Sequence, residues 1–209
     1  MAAGKLVTIE GLDGAGKSTL AAALATELRR RGLAVELLRE PGGVRVSERI
    51  RELLADATLT ISARTEALLY AAARAQLVHE RLLPLLDAGA FVLLDRFLDS
   101  SLAYQGAGRE LGVDQIRTLN SFALAGLAPD RTLLLRVDPA RGRARLRDRG
   151  QALDRIERED VAFFARIAAA YDALAAREPQ RVRPIDAEQP PARVLAAALA
   201  ALDGLLASG

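Results

Sequence analysis

Eight residues near the start of the chain have the types and spacing of a phosphate-binding loop. They are Gly11, Leu12, Asp13, Gly14, Ala15, Gly16, Lys17 and Ser18, which match G-x-x-x-x-G-K-[S/T]. Glycines let backbone N–H groups turn toward phosphate oxygens, the lysine reaches the β- and γ-phosphates, and the serine hydroxyl can bind Mg²⁺. Lys5 and Lys17 are the only lysines in the chain, which makes a chance match rarer. We expect this loop to bind ATP or GTP.

Several classes of nucleotide-binding protein share this loop, and the lysine content excludes one of them. GTPases recognise guanine with an N-K-x-D motif, and no lysine follows Lys17. Three classes stay open: a nucleoside monophosphate kinase, a deoxynucleoside kinase, and an ATPase that acts as a switch or binds nucleic acid. The deoxynucleoside kinase would need a carboxylate base beside a 5′-hydroxyl. A monophosphate, with a second pKa of about 6, is already an anionic nucleophile.

Charged residues follow two other predicted strands. Arg39 ends the second strand, and Asp95 and Arg96 end the third. Because ligands of open α/β folds bind at the carboxyl ends of the strands, these side chains should lie near Lys17. The planar guanidinium group of an arginine can donate two hydrogen bonds to a second phosphate. Asp95 is placed to hold Mg²⁺ together with Ser18. A structural ion pair of either arginine with a nearby carboxylate is the alternative.

A third group of candidates is a run of arginines between Pro139 and Asp154. In a helix, some of them would share one face, where like charges repel unless an anion binds. We interpret residues 139–155 as a short lid that closes over the triphosphate and supplies an arginine to the transition state. A solvated basic face and a nucleic-acid contact surface are the alternatives. The arginines are Arg141, Arg143, Arg145, Arg147, Arg149 and Arg155.

The elements that position these groups alternate between short apolar runs and longer segments of helical period. This α/β pattern is typical of a parallel sheet with helices on both faces. The predicted strands, each expected to be buried on both sides, are Leu6–Glu10, Ala34–Arg39, Phe91–Asp95, Thr132–Val137 and Val182–Ile185. The predicted helices are Ser18–Arg31, Ser47–Ala55, Ala63–Ala88, Val113–Ala125, Ala140–Arg149, Glu157–Arg177 and Pro191–Ala207. No linker or internal repeat interrupts them, so residues 1–209 are expected to form a single domain.

Composition limits the kinds of site, the compartment and the partners that the protein can have. The absence of cysteine and the single histidine exclude disulfides, thiolate chemistry and a zinc cluster. No apolar run is long enough to span a membrane. The formal net charge is only +2, so no nucleic-acid-binding face follows from the total charge. We therefore expect a soluble cytoplasmic protein without a nucleic-acid or membrane partner.

Four segments, in this order and spacing, resemble the thymidylate kinase family: Gly11–Thr19, Arg39–Gly43, Asp95–Gln105 and Leu153–Glu157. The third fits the family's D-R-[Y/F]-x-x-S-x-x-A-Y-Q at every fixed position, and Leu68–Arg74 is similar to its base-binding helix. The resemblance covers most of the chain. It implies a P-loop nucleoside monophosphate kinase fold with a five-stranded parallel sheet. It also implies transfer of the γ-phosphoryl group of ATP to dTMP for dTTP synthesis, Mg²⁺ as the cofactor, and a homodimer.

The resemblance implies roles for individual residues on the donor side. Lys17 and Arg96 would act on the transferring group together with a lid arginine. The other donor-side residues would be Gly11–Thr19 and Arg145 for ATP, Ser18 and Asp95 for Mg²⁺, and the loop of residues 186–190 beside the adenine.

Further roles are implied on the acceptor side. Tyr70 would stack on the thymine, Arg74 would hydrogen-bond to it, and Tyr104 would lie beside C2′ of the sugar. Periodicity alone predicts that both tyrosines are core residues. The remaining acceptor residues would be Asp13 near the 3′-hydroxyl, Arg39 and Arg96 on the phosphate, and Ser100 and Gln105 along the base.

The chain departs from the family pattern at two places. Gly14 stands where some members carry a catalytic arginine, so the lid should supply that charge, as in the bacterial class with an arginine-bearing lid. Gln151 and Ala152 stand where one residue is expected, which affects the register of the lid. We expect Arg149 to reach the transition state, with Arg145 or Arg147 as the alternatives.

Overall fold

One parallel sheet of five strands forms the centre of the protein. The computed structural model describes residues 4–148, 150 and 154–206. The strand order is β2-β3-β1-β4-β5, and every pairing is parallel. This confirms the predicted fold class, and each strand boundary lies within one residue of its predicted position. The strands are β1 (Lys5–Gly11), β2 (Val35–Arg39), β3 (Phe91–Asp95), β4 (Arg131–Arg136) and β5 (Val182–Asp186).

Two groups of helices cover the sheet. The first and last helices, α1 and α9, pack against each other and against the strands, while α3, α6 and α8 belong to a second group. The helices are α1 (Lys17–Arg30), α2 (Arg45–Ala55), α3 (Ala63–Leu77), α4 (Leu83–Asp87), α5 (Leu98–Ser101), α6 (Val113–Leu124), α7 (Pro139–Asp148), α8 (Val161–Arg177) and α9 (Pro191–Leu206), with π-helical segments at Val78–Leu82 and Leu102–Gly108. Within the described ranges, no helix is long and apolar enough to cross a bilayer.

The helix predictions differ from the structure in three places. The long helix predicted after residue 63 contains a π-helical turn at Val78–Leu82 between α3 and α4. The helical segment 98–108 was not predicted, because its glycines and polar residues hide the helical period. The helix predicted from Glu157 begins at Val161, because the Asp160 side chain caps it by accepting from Phe163 N over 2.7 Å.

The prediction that every strand is buried on both sides is wrong for the two edge strands. Within the described part of the chain, β2 pairs with β3 alone, and Leu37 and Arg39 on it are exposed. Among the same residues, β5 pairs with β4 alone, and Pro184 on it is exposed. An edge strand lacks one neighbour, so apolar composition does not ensure burial. The central strands fit the prediction, since Val92, Leu93 and Leu94 of β3 are fully buried.

Strand register brings the candidate residues to one edge of the sheet. Asp95 at the end of β3 lies opposite Arg39 of β2 on one side and Ile9 of β1 on the other. Gly11 at the end of β1 opens the phosphate-binding loop. The carboxyl ends of the three neighbouring strands therefore support a single site.

Candidate active site

The phosphate-binding loop connects β1 to α1, as predicted. Gly14 and Gly16 have φ values of 78° and 93°, in the region that favours glycine. Lys17 begins α1, and its Nζ donates to the carbonyls of Leu12 (2.8 Å) and Gly11 (3.2 Å) inside the loop. Burial and the neighbouring Arg96 lower the pKa of Lys17 to about 8. The first N–H groups of a helix and an ammonium beside them are groups that can bind phosphate oxygens.

The loop lies directly against helix α7, which belongs to the segment predicted to be a lid. A Cβ atom at Gly14 would lie 2.2 Å from the carbonyl oxygen of Gly142. The loop therefore has no room for a side chain at position 14, which agrees with the expectation that a catalytic arginine comes from elsewhere.

Arginines of α7 reach the loop and the segment after β5. Arg145 donates to Ala187 O (3.1 Å) and Gly14 O (3.4 Å), and Arg141 pairs with Glu188. Arg145 thus touches both segments predicted to surround ATP. The predicted transition-state residue, Arg149, lies outside the described residues.

A hydroxyl and a carboxylate meet beside the loop. Ser18 Oγ donates to Asp95 Oδ2 over 2.9 Å. Oxygen ligands of this kind are those that Mg²⁺ prefers, usually one or two protein oxygens together with phosphate oxygens. The pair, at the end of β3 and the start of α1, fits that cation.

Arg96 connects the phosphate-binding loop to a neighbouring pocket. It follows β3 with φ 71°, a left-handed conformation that is uncommon for a residue other than glycine. Its guanidinium pairs with Asp13 and donates to Gly11 O (3.1 Å), Ser100 Oγ (3.0 Å) and Tyr104 OH (3.2 Å). Burial alone would raise the pKa of Asp13, but Arg96 and Lys17 outweigh it and hold the pKa at about 2. Asp13 is therefore ionised and shared between the loop and the pocket.

A buried carboxylate, which sequence reasoning missed, holds the turn around Arg96. Glu10 is fully buried and accepts from Phe97 N (2.7 Å), Ser100 Oγ (2.5 Å) and Tyr171 OH (3.0 Å). Burial raises the pKa of Glu10 to about 7. Its contacts fix the backbone after β3 and, through Ser100, the guanidinium of Arg96.

The pocket beside Arg96 gathers the predicted acceptor residues, with one exception. It encloses about 130 Å³. Glu40, Arg51, Ser101 and Ile156 also line it and were not predicted. The predicted residues that line it are Asp13, Tyr70, Arg74, Arg96, Ser100, Tyr104 and Gln105.

Arg39 is the exception. Its exposed side chain forms an ion pair with Glu48 at 2.9 Å, on the outside of edge strand β2. Arg51 of α2 lines the pocket instead and donates to Pro41 O over 3.1 Å. Helix α2 contains several arginines, and their positions in the sequence do not indicate which one faces the pocket. Arg51 could therefore not be predicted.

Arg74 is buried in the pocket wall and contacts four residues. Its guanidinium contacts Glu40 through two nitrogens (2.9 and 2.8 Å), Ser101 Oγ (3.1 Å), Phe97 O (3.0 Å) and Asn120 Oδ1. Four of the five N–H groups of Arg74 donate hydrogen bonds within the protein, and its remaining contact is an ion pair with Glu40. In this geometry its main contribution is to hold Glu40 and Ser101 in place.

Comparisons with known proteins agree with this geometry. The sequence profile of the family described as thymidylate kinase matches residues 9–198. A thymidylate kinase of Rhizorhabdus wittichii is 48% identical over 97% of this chain and 99% of its own length, and one of Exiguobacterium is 47% identical over 89% and 88%.

A solved structure shows the same likeness in three dimensions. The crystal structure of thymidylate kinase from Ehrlichia chaffeensis superposes with a TM-score of 0.79 at 28% sequence identity, and the match covers 97% of this chain and 100% of that one. The phosphate-binding loop, the pocket that shares Asp13 with it, the sequence matches and this superposition lead to one conclusion: the chain belongs to the thymidylate kinase family.

Proposed function

We propose that this protein transfers the γ-phosphoryl group of ATP to dTMP and releases ADP and dTDP. Family membership supports the reaction, and the bonds of Asp13 support the placement of the two substrates. Asp13 belongs to the phosphate-binding loop, yet its carboxylate contacts Arg96 and accepts from Tyr104 OH over 2.9 Å in the pocket. Donor and acceptor sites are therefore adjacent and share a charged residue.

The proposed chemistry needs positioning and charge neutralisation more than acid–base catalysis. A monophosphate is already anionic near neutral pH, so no general base has to remove a proton. Lys17 would contact the transferring group from the loop, and Arg96 would contact the acceptor phosphate from the pocket side. Ser18 and Asp95 would hold Mg²⁺, which supplies positive charge to the phosphate oxygens. We assign the residues around 139–155 as a lid whose arginines approach the triphosphate from above the loop.

A coupled assay of ADP release across nucleoside monophosphates tests the proposal against its rivals. We expect Mg²⁺-dependent turnover to be fastest with dTMP. Faster turnover with UMP, CMP or AMP would contradict the assignment of the acceptor. ADP release without any acceptor, or release stimulated by nucleic acid, would favour an ATPase.

The ring of Tyr104 is expected to exclude ribonucleotides. If it packs beside C2′, a 2′-hydroxyl would be buried there without a partner, at a cost of roughly 1–3 kcal/mol. The enzyme should then prefer dTMP over its ribose counterpart by about tenfold to a few hundredfold. Tyr104→Ala should reduce this ratio of kcat/KM values, mainly by admitting the ribonucleotide.

Two further variants act as controls for this experiment. Tyr104→Phe keeps the ring and should keep the ratio, while Tyr70→Ala should weaken both substrates together through lost stacking. Melting temperatures establish that each variant is folded. A folded Tyr104→Ala enzyme with an unchanged ratio would remove Tyr104 from the sugar site.

We further propose that the protein is a homodimer that works in the cytoplasm. A chain without cysteine suits a reducing compartment. Helices α2, α3 and α6 pack side by side and expose large apolar side chains, including Leu53, Leu68 and Phe122, the last of which is 92% exposed. A neighbouring copy of the chain would cover them.

Sedimentation equilibrium should therefore give twice the mass of one chain. Phe122→Glu should shift the protein toward monomers, because it places a charge in that surface. The same substitution at Val161, which is 67% exposed on α8, should leave the mass unchanged. A monomeric wild-type protein would contradict the proposed dimer.

A further inference from the structure

A buried carboxylate behind the wall of the acceptor pocket has no role in the proposed phosphoryl transfer. Glu66 lies in the first turn of α3 and is fully buried. Its Oε1 accepts a hydrogen bond of 2.9 Å from Nε2 of Gln105, which lines the pocket. Glu66 therefore contacts a pocket residue without lining the pocket.

Three contacts keep Glu66 charged and in place. Arg109 donates to both of its oxygens, over 3.2 and 3.1 Å, and Nη2 of Arg155 lies 2.7 Å from Oε2. Burial raises the pKa of Glu66, but hydrogen bonds from Arg109 and Gln105 outweigh this effect and leave the pKa below its usual value. Arg109 also bonds Glu159 at 2.5 Å, and Arg155 donates to Leu54 O over 3.1 Å, so other segments of the chain anchor both arginines.

An ionised carboxylate determines which end of the Gln105 amide faces it. A carboxylate only accepts hydrogen bonds, whereas an amide has a donor end and an acceptor end. The NH₂ group of Gln105 must therefore point to Glu66. Its carbonyl Oε1 is left for a ligand in the pocket.

An acceptor at this point distinguishes pyrimidine bases. Thymine and uracil carry a hydrogen on N3 and can donate to Oε1, whereas N3 of cytosine bears a lone pair that would face it. A polar group left without a partner in a buried site costs binding and transition-state energy.

We propose that Glu66 is a positioning residue for base specificity, because it locks the amide of Gln105 with its carbonyl toward the ligand. The pocket then accepts bases that carry an N3–H group and rejects cytosine. This inference rests on the proposed function, since it requires the acceptor base to lie against Gln105.

The test compares kcat/KM for dTMP, dUMP and dCMP in the wild-type protein and in Glu66→Gln. The substituted amide can offer Gln105 either a donor or an acceptor, so the Gln105 amide can turn over. We expect the dTMP/dCMP ratio to fall about five- to tenfold, the equivalent of one hydrogen bond. The dTMP/dUMP ratio should stay unchanged, because both bases donate from N3.

Glu159→Gln is the matched control. It removes the same charge from a carboxylate that also binds Arg109 but does not contact Gln105, so the dTMP/dCMP ratio should equal that of the wild type. A role of Glu66 in stability alone would lower the melting temperature of Glu66→Gln without changing either ratio, and that result overturns the proposal.

A second variant decides the question if Glu66→Gln does not fold. Glu66→Asp keeps the negative charge beside Arg109 and Arg155, but its shorter side chain withdraws the carboxylate from the Gln105 amide. A lowered dTMP/dCMP ratio in this variant supports the proposal, and a ratio like that of the wild type overturns it. A wild-type protein inactive on dTMP would refute the proposed function itself, whereas an active one with a ratio insensitive to Glu66 refutes only this inference.

Discussion

Replacing Lys17 with alanine is expected to lower kcat by about a hundredfold or more while dTMP binding changes little. The Lys17 ammonium lies inside the loop, 2.8 Å from Leu12 O, where the β- and γ-phosphates of the donor would lie. Its charge would therefore act on the transferring group and not on the acceptor base. Steady-state kinetics with calorimetric titration of dTMP separate the two effects.

The other lysine provides a matched control. Lys5 pairs with Asp130 at 3.4 Å at the start of β1, away from the carboxyl edge of the sheet. Lys5→Ala removes the same charge and should leave kcat close to wild type. A Lys17→Ala enzyme with near-normal kcat would show that the donor site is misplaced.

Replacing Arg149 with alanine is expected to lower kcat by roughly a thousandfold, with little change in KM for dTMP. Gly14 leaves no room in the loop for a catalytic arginine, because a side chain there would meet Gly142 O. Arg145 is already bound to Ala187 O and Gly14 O, which suits ATP binding. Arg149 therefore remains the proposed transition-state arginine. The test compares kcat and KM for the variants Arg145→Ala, Arg147→Ala and Arg149→Ala.

The pattern across the three variants distinguishes the possibilities. If kcat is near normal in Arg149→Ala but strongly lowered in Arg145→Ala or Arg147→Ala, the lid assignment stands and its proposed register is wrong. Near-normal kcat in all three would mean that the arginine run is a solvated face. A rise in KM for ATP confined to Arg145→Ala would agree with its place beside Ala187.

Features that depend on local sequence could be predicted. The loop at Gly11–Ser18 has its own spacing pattern, and parallel strands carry their carboxyl ends to one edge whatever the details of packing. The Asp95–Gln105 motif is contiguous, so Arg96, Ser100, Tyr104 and Gln105 within it line the pocket together.

Features that depend on distant contacts could not be predicted. Glu10 and Tyr171 are hydrogen-bonded but stand 161 positions apart in the chain. Gln105 and Glu66 are separated by 39 positions, and neither has a sequence pattern that points to the other. Which arginine faces the pocket also depends on packing: Arg39 lies on the edge strand and pairs with Glu48, while Arg51 lines the pocket.

The transfer of a labelled phosphoryl group tests the central claim most directly. The protein is incubated with Mg²⁺, dTMP and ATP carrying radioactive phosphorus at the γ position, and the products are separated by chromatography. We predict that the label appears in dTDP, that chelation of the metal stops its transfer, and that the Lys17→Ala substitution slows the transfer by about a hundredfold or more. Label released as inorganic phosphate, with none in dTDP, would contradict the assignment of this protein as a dTMP kinase.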